Sequence, residues 1–157
     1  MKKEEKAISI EDLGEFGLID RITEKIKTYN KSTNVGPGDD AAIIKIKDHT
    51  VISTDMMVEG IHFDMTFTPL KHLGYKAVVV NLSDIFAMNA SPQQITVSLA
   101  ISSKYTLEAI DELYEGILLA CKKYKVDIIG GDTTSCPSGL TISITSIGTC
   151  LKKNIVF

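Results

Sequence analysis

Five aspartates stand at points of chain punctuation or apolar surroundings, where a merely solvated acid is least expected. Asp39 and Asp40 close the turn GPGDD, Asp55 follows the β-like run Val51-Ile52-Ser53-Thr54, Asp84 lies inside VVVNLSDIFAM, and Asp132 follows Gly130-Gly131. An unpartnered carboxylate in an apolar setting is costly, so Asp84 needs a cation, hydrogen-bond donors or a proton. A shared Mg²⁺ would satisfy the acids together. Oxygen-only ligands favour Mg²⁺, Mn²⁺ or Ca²⁺ over zinc, and no Cys and His cluster here has zinc-site spacing. Mg²⁺ takes few protein carboxylates and completes its shell with water and substrate phosphates, so such a site points to a phosphate ligand. Gly36-Pro37-Gly38 and Gly130-Gly131 offer backbone N–H groups that can approach phosphate oxygens without a Cβ in the way. Neither GxxxxGK[ST] nor GxGxxG occurs, which excludes the usual P-loop and dinucleotide fingerprints.

Taken singly, each residue has a plainer explanation. Asp39 and Asp40 could be turn acids making local backbone bonds, Asp55 a cap or solvated strand end, and the Gly-Gly-Asp at 130–132 a simple turn. His62 could be a packed or surface histidine, Glu59 a solvated acid, Met56 and Met57 core filler, and Tyr114 a packing residue on a helical stripe. Asp84 is the hardest to explain this way, because of its apolar neighbours.

The elements that must position these groups follow from period and punctuation. Ser9 is a candidate N-cap for an amphipathic helix carrying Leu13, Phe16, Leu18, Ile19, Ile22 and Ile26, interrupted by glycines. Ala41 to Ile46 and Val51 to Thr54 read as adjacent strands, a hairpin across His49-Thr50, with the second strand ending on Asp55. Thr68-Pro69 to Ala90 is apolar around most of its circumference, a buried helix with Pro69 suited to its start, although Val78-Val79-Val80 is β-branched. Ile95, Val97, Leu99 and Ile101 alternate as a strand with one buried face, and Thr106 to Lys125 carries a helical stripe through Ile110, Leu113, Tyr114, Ile117, Leu118, Cys121 and Tyr124. Asp127-Ile-Ile-Gly-Gly-Asp reads as a short strand into a tight glycine turn, and Leu140, Ile142 and Ile144 alternate again. Without repeat, low-complexity tract or linker, the 157 residues predict one α+β unit.

Composition agrees with a soluble globular domain: 44% hydrophobic and 24% charged residues are ordinary values. A net charge of −3 gives no reason to expect nucleic acid as a partner. No apolar stretch reaches the roughly 18 to 20 residues of a membrane span, and MKKEEK lacks an adjacent apolar signal core, so a cytoplasmic protein is expected. Cys121, Cys136 and Cys150 form no CxxC pair and read as reduced packing residues.

Together the blocks GDDAA (38–42), STDMMVEGIHF (53–63), NLSDIFAMNASP (81–92) and GGDTT (130–134) resemble the thiamine-monophosphate kinase family in order and spacing. The likeness runs from GEFGLIDRI to the last residues. The wider superfamily includes aminoimidazole ribonucleotide synthetase and selenophosphate synthetase; TDMMVEGIHF is similar to the thiamine-monophosphate kinase branch, and the Cys- or Sec-containing glycine-rich start of selenophosphate synthetase is missing.

The resemblance implies the N-terminal domain of an aminoimidazole ribonucleotide synthetase-like fold, with a mixed or antiparallel sheet packed against helices. It implies transfer of the ATP γ-phosphoryl group to thiamine monophosphate, giving thiamine diphosphate and ADP. On the matched positions, Asp40, Ser53, Thr54, Asp55, Asp84 and Asp132 would hold several Mg²⁺ ions, Ser53 through a backbone or hydroxyl oxygen. Gly131, Asp132 and Tyr114 would contact ATP, and His62 thiamine monophosphate, while Glu59 has no assigned role. The acceptor is already an anion at neutral pH, so neither a strong general base nor a covalent enzyme intermediate is expected. The family resembles a two-domain protein with its active site between the domains, so residues 1–157 are expected to be the N-terminal ATP/Mg-binding domain, without full catalysis on their own. A homodimer through the N-terminal sheet is implied as well. Two alternatives remain: another ATP-dependent enzyme of the superfamily, or a non-catalytic Mg²⁺- or nucleotide-binding domain.

Overall fold

The computed structural model describes residues 10–38, 40–46 and 49–156. Helix α1 (Ile10–Thr23) leads to a two-stranded antiparallel ribbon of β1 (Thr33–Val35) and β2 (Ile43–Ile44). The remaining elements are β3 (His49–Val58), α2 (Leu70–Ala87), β4 (Ser91–Ile101), α3 (Leu107–Tyr124), β5 (Asp127–Ser135) and β6 (Leu140–Cys150), closed by a short 3₁₀ turn at Lys152–Asn154. The four long strands form one mixed sheet in the order β3-β6-β4-β5. Only the β4–β5 pair is parallel, joined by the α3 crossover as a parallel pair requires.

The predicted α+β character holds, and most elements lie where the pattern puts them. In β4 the alternation buries Ile95, Val97, Leu99 and Ile101, and in β6 it buries Leu140, Ile142 and Ile144 against the same side. That side is covered by α2 and α3. Leu73, Ala77, Val78 and Leu82 of α2 and Ile110, Leu113, Ile117 and Ala120 of α3 are almost wholly buried. Thr106 caps α3 by accepting a bond from the Ala109 N–H, and Lys125 ends it in a left-handed conformation. Pro69 precedes the first turn of α2 as its N-cap. In α1, Gly14 departs from helical geometry at φ 71°, the expected glycine interruption; Ser9 lies outside the described residues. Leu18 and Ile22 bring α1 onto the core, and Arg21 binds Asp111 of α3. Cys121 and Cys150 are buried, Cys136 is half-buried, and all three are free thiols.

Three expectations need correction. The Ala41–Ile46 segment does not form a hairpin with β3: β2 pairs with β1, while β3 pairs along its whole length with β6, from His49 opposite Cys150 to Val58 opposite Thr141. A ten-residue ladder with a distant strand outweighs a two-residue local one. Nor does β3 end on Asp55; it runs three residues further, to Val58. Finally, Gly130-Gly131 is no turn. Strand β5 passes through the pair, just after the register with β4 shifts at Ile129. The glycine is needed for close approach, since a Cβ on Gly131 would lie 1.7 Å from the Val97 carbonyl oxygen.

Among the described residues, no helix covers the opposite face of the sheet. Ile52 and Met56 of β3 are 64% and 55% exposed there, beside half-buried Ser143, Thr145 and Ile147 of β6. Among the described residues, no helix is long and apolar enough to cross a membrane.

Candidate functional site

Strand β3 and helix α2 build one corner of the molecule, where several predicted residues meet. Alternation along β3 turns Ser53 and Asp55 toward α2, and Thr54 toward the uncovered face. Ser53 Oγ donates to Asp84 Oδ2 at 2.6 Å, joining strand to helix through a charge-assisted bond. Beside it, the backbone N–H of Asp55 donates to Asn81 Oδ1 at 2.9 Å. Asn81 is 1% exposed, and its Nδ2 donates to the Ala77 carbonyl at 2.9 Å, so both ends of its amide are held. Behind it, the fully buried Ser146 hydroxyl of β6 donates to the Asn81 carbonyl at 3.1 Å. Strand β3 is therefore fixed against α2 at the two residues that present oxygen atoms outward.

Sequence reasoning missed Asn81, although its signal was available. Asn81 sits in the same apolar segment as Asp84, and the cost of a buried, unpartnered polar group applies to it more strictly. Replacing Asn81 with alanine is expected to remove about 2 kcal/mol of stability, because it opens a buried gap and strands the Asp55 N–H. The check is a urea titration, in which the midpoint falls while the slope is unchanged. An unmoved midpoint would show the brace to be idle.

Asp84 itself is not buried as expected. It lies on the exposed side of α2, where the Ser53 hydroxyl donates to it. The apolar residues that surround it in sequence are not all inward: Val80 and Phe86 are 37% and 49% exposed. Thr54 points the other way, its hydroxyl 2.7 Å from that of Thr145 on β6, so its side chain does not join Ser53 and Asp84.

The other candidates lie apart. Gly131 and Asp132 belong to β5, on the far edge of the sheet from β3. Register places Asp55, Ile144, Val97 and Gly131 in one row, and Met56, Ser143, Ser98 and Asp132 in the next. Three strand spacings separate the edges, about 14 Å, which is too far for two carboxylates of one chain to grip one ion. Asp40 is exposed in the bend before β2, and Asp39 lies outside the described residues. Tyr114 is packed in the core with 7% exposure, and burial raises its phenol pKa well above the ordinary value. Among the described residues no three His, Cys, Asp or Glu side chains are gathered closely enough to hold a metal ion.

His62 is exposed in the turn that follows β3, and Val58 N–H donates to its Nδ1 at 3.0 Å. With Nδ1 used as an acceptor, the neutral ring carries its hydrogen on Nε2. That leaves an outward N–H suited to a phosphate oxygen.

The donor set fits a hard cation in small groups rather than as one cage. Asp84 offers an exposed carboxylate beside Ser53 and Asp55, which suits an ion that takes one or two carboxylates and draws its other ligands from water and phosphate.

Residues 38–150 match the family model for AIR synthase related protein, N-terminal domain. The chain is 41% identical over 138 residues to the thiamine-monophosphate kinase of Bacillus subtilis, covering 87% of this chain and 42% of that protein. For the Escherichia coli thiamine-monophosphate kinase the identity is 37% over 138 residues, covering 83% and 40%. Among solved structures, thiamine-monophosphate kinase from Stenotrophomonas maltophilia superposes with a TM-score of 0.75 at 31% identity, over 91% of this chain and 44% of that one. AaThiL complexed with AMPPCP and TMP superposes with a TM-score of 0.62 at 30% identity, over 90% and 43%. The chain thus spans about two fifths of the length of the curated relatives it matches.

Proposed function

The chain belongs to the AIR synthase related protein family, whose N-terminal domain it matches, and from that premise we propose that it serves ATP-dependent phosphorylation of thiamine monophosphate to thiamine diphosphate. What carries the reading is the Ser53–Asp84 junction, which brings oxygen donors of a strand and a helix together in a chain 41% identical to a thiamine-monophosphate kinase.

In this proposal Asp84, Asp55 and Ser53 hold Mg²⁺ at the β3–α2 corner, with Thr54 contributing through its backbone and Asp40 from the bend before β2. When bound, the metal would neutralise the polyphosphate charge that otherwise repels an anionic acceptor. The chain's own part is orientation. Asn81 keeps Asp55 in place, Ser53 fixes the Asp84 carboxylate, and His62 turns its Nε2–H toward the acceptor phosphate. No side chain needs to act as a strong base, because the acceptor oxygen is already anionic. Gly131 and Asp132 meet ATP from the far edge, and Tyr114 acts from inside the core by shaping the α3 surface next to the nucleotide. Because Asp55 and Asp132 cannot share an ion within one chain, more than one ion serves them, or a second copy brings its β5 edge alongside.

The proposal includes that second copy. The uncovered sheet face, with Ile52 and Met56 exposed, is the surface through which a homodimer would form. It also includes a second, C-terminal domain that closes the site, which the two-fifths coverage supports, and a cytoplasmic setting without nucleic acid. The complete protein of this proposal is this chain together with that domain.

An ADP-release assay on the complete protein against a panel of phosphate acceptors tests the function. Thiamine monophosphate is expected to give turnover well above the other acceptors. Turnover with a different acceptor and none with thiamine monophosphate would replace this reading with another ATP-dependent activity of the superfamily.

A further inference from the structure

Glu59, which the proposed site leaves without a role, is held more firmly than a solvated acid. One carboxylate oxygen pairs with Lys104 Nζ and the other accepts from Tyr105 OH at 2.7 Å. Its backbone N–H donates to the Leu140 carbonyl at 3.0 Å, one step beyond the β3–β6 ladder. Lys104 and Tyr105 lie in the connection from β4 to α3, and Gly139, beside Glu59, lies in the turn from β5 to β6. The carboxylate therefore ties two loops at one end of the sheet, its own turn and the β4–α3 connection, while the backbone N–H of Glu59 reaches the start of β6. Burial works against its charge, but the bonds from Lys104 and Tyr105 outweigh it and hold the carboxyl below its usual range.

Besides this clamp, the turn that Glu59 begins is anchored by Phe63 in the core and by the Val58 N–H bond to His62 Nδ1, and its remaining bonds are local. Gly60 N–H bonds to the Phe63 carbonyl, and the Ile61 and His62 N–H groups bond to the Val58 carbonyl, all within the turn itself. Phe63 is buried, but Ile61 is 77% exposed and His62 is exposed. A cleft of about 400 Å³ opens alongside, lined by Val58, Gly60, Lys104, Ser138 and Thr141, so packing does not support that flank. The polar clamp does.

We propose that Glu59 is a positioning residue for the acceptor: its carboxylate ties the 59–63 turn to Lys104 and Tyr105, and so fixes where His62 presents Nε2. This rests on the reading above that His62 meets thiamine monophosphate. Tyr105, 7% exposed, is the rigid end of the clamp, and Lys104 the charged and more exposed one.

The experiment uses the complete protein with Glu59→Gln, and Tyr105→Phe as a second, milder variant. Amide exchange at Gly60, Ile61 and His62 is expected to quicken about five- to tenfold in Glu59→Gln. The KM for thiamine monophosphate is expected to rise by about the same factor, while KM for ATP stays level. Tyr105→Phe should shift both in the same direction by less. Unchanged exchange overturns the clamp and leaves the acceptor reading intact. A parallel rise in KM for ATP also overturns it, since that would mark general loosening. Faster exchange with unmoved KM for thiamine monophosphate, in Glu59→Gln and in His62→Ala alike, overturns the placement of the acceptor at His62 and this role with it.

Discussion

Asp84→Asn in the complete protein is expected to lower kcat/KM by about 100- to 1,000-fold at limiting Mg²⁺, the size of loss that follows removal of one preorganised electrostatic contact from an active site. The substitution is nearly isosteric. Asparagine keeps an oxygen that can accept from Ser53 Oγ, so the β3–α2 junction stays joined, and position 84 is exposed, so no buried group loses its partner. The melting temperature should therefore be almost unchanged. What disappears is the negative charge, and with it the affinity for a hard divalent ion. Raising Mg²⁺ should recover part of the lost rate, which a folding defect would not allow. Full turnover by the variant at limiting Mg²⁺ would remove Asp84 from the metal site.

The second large effect concerns the scaffold behind that corner. Gly116→Ala in α3 is expected to destabilise the protein by about 2 kcal/mol or more, against the usual sign of such a change in a helix. Alanine ordinarily improves a helix by up to about 1 kcal/mol over glycine. Here a Cβ at position 116 would lie 1.9 Å from the Lys71 carbonyl oxygen of α2. The contact is reciprocal, since a Cβ at Gly74 would lie 2.0 Å from the Leu113 carbonyl oxygen. Backbone meets backbone at both points, so no flexible side chain can yield, and the helices must separate over the sheet. A fall in melting temperature of about 4 to 8 °C is the expected reading. Gly130→Ala provides the control, because nothing lies within 4 Å of the Cβ it would add. Equal stability of the Gly116→Ala protein would mean that the two helices do not cross this closely.

The sequence made the period of β4, β6 and α3 legible, but not the partners of the strands. Alternation located β4 and β6, and the α3 stripe needed no tertiary information, because each pattern is set by the face that one sheet or helix buries. The supposed hairpin failed because alternation does not name the strand across the ladder: β3 found ten partners in β6, about ninety residues away. The glycine pair at 130–131 read as a turn because a close approach to Val97 leaves the same local signature as a bend. For the site, the acids were legible as types but not as a constellation. Sheet order puts Asp55 and Asp132 on opposite edges, and no local pattern contains that order. Asp84 was misread as buried because residues apolar in sequence, Val80 and Phe86, stand partly in solvent; the buried polar group of that helix is Asn81.

The central claim, that the β3–α2 corner holds the metal that carries the ATP phosphates, is tested most directly by Mn²⁺ binding to the complete protein, followed by electron paramagnetic resonance with a non-hydrolysable ATP analogue. The account predicts a bound Mn²⁺ signal with phosphorus coupling from the analogue, and affinity that falls at least about tenfold in Asp84→Asn. Mn²⁺ bound with the same affinity and the same phosphorus coupling in the Asp84→Asn protein would contradict it.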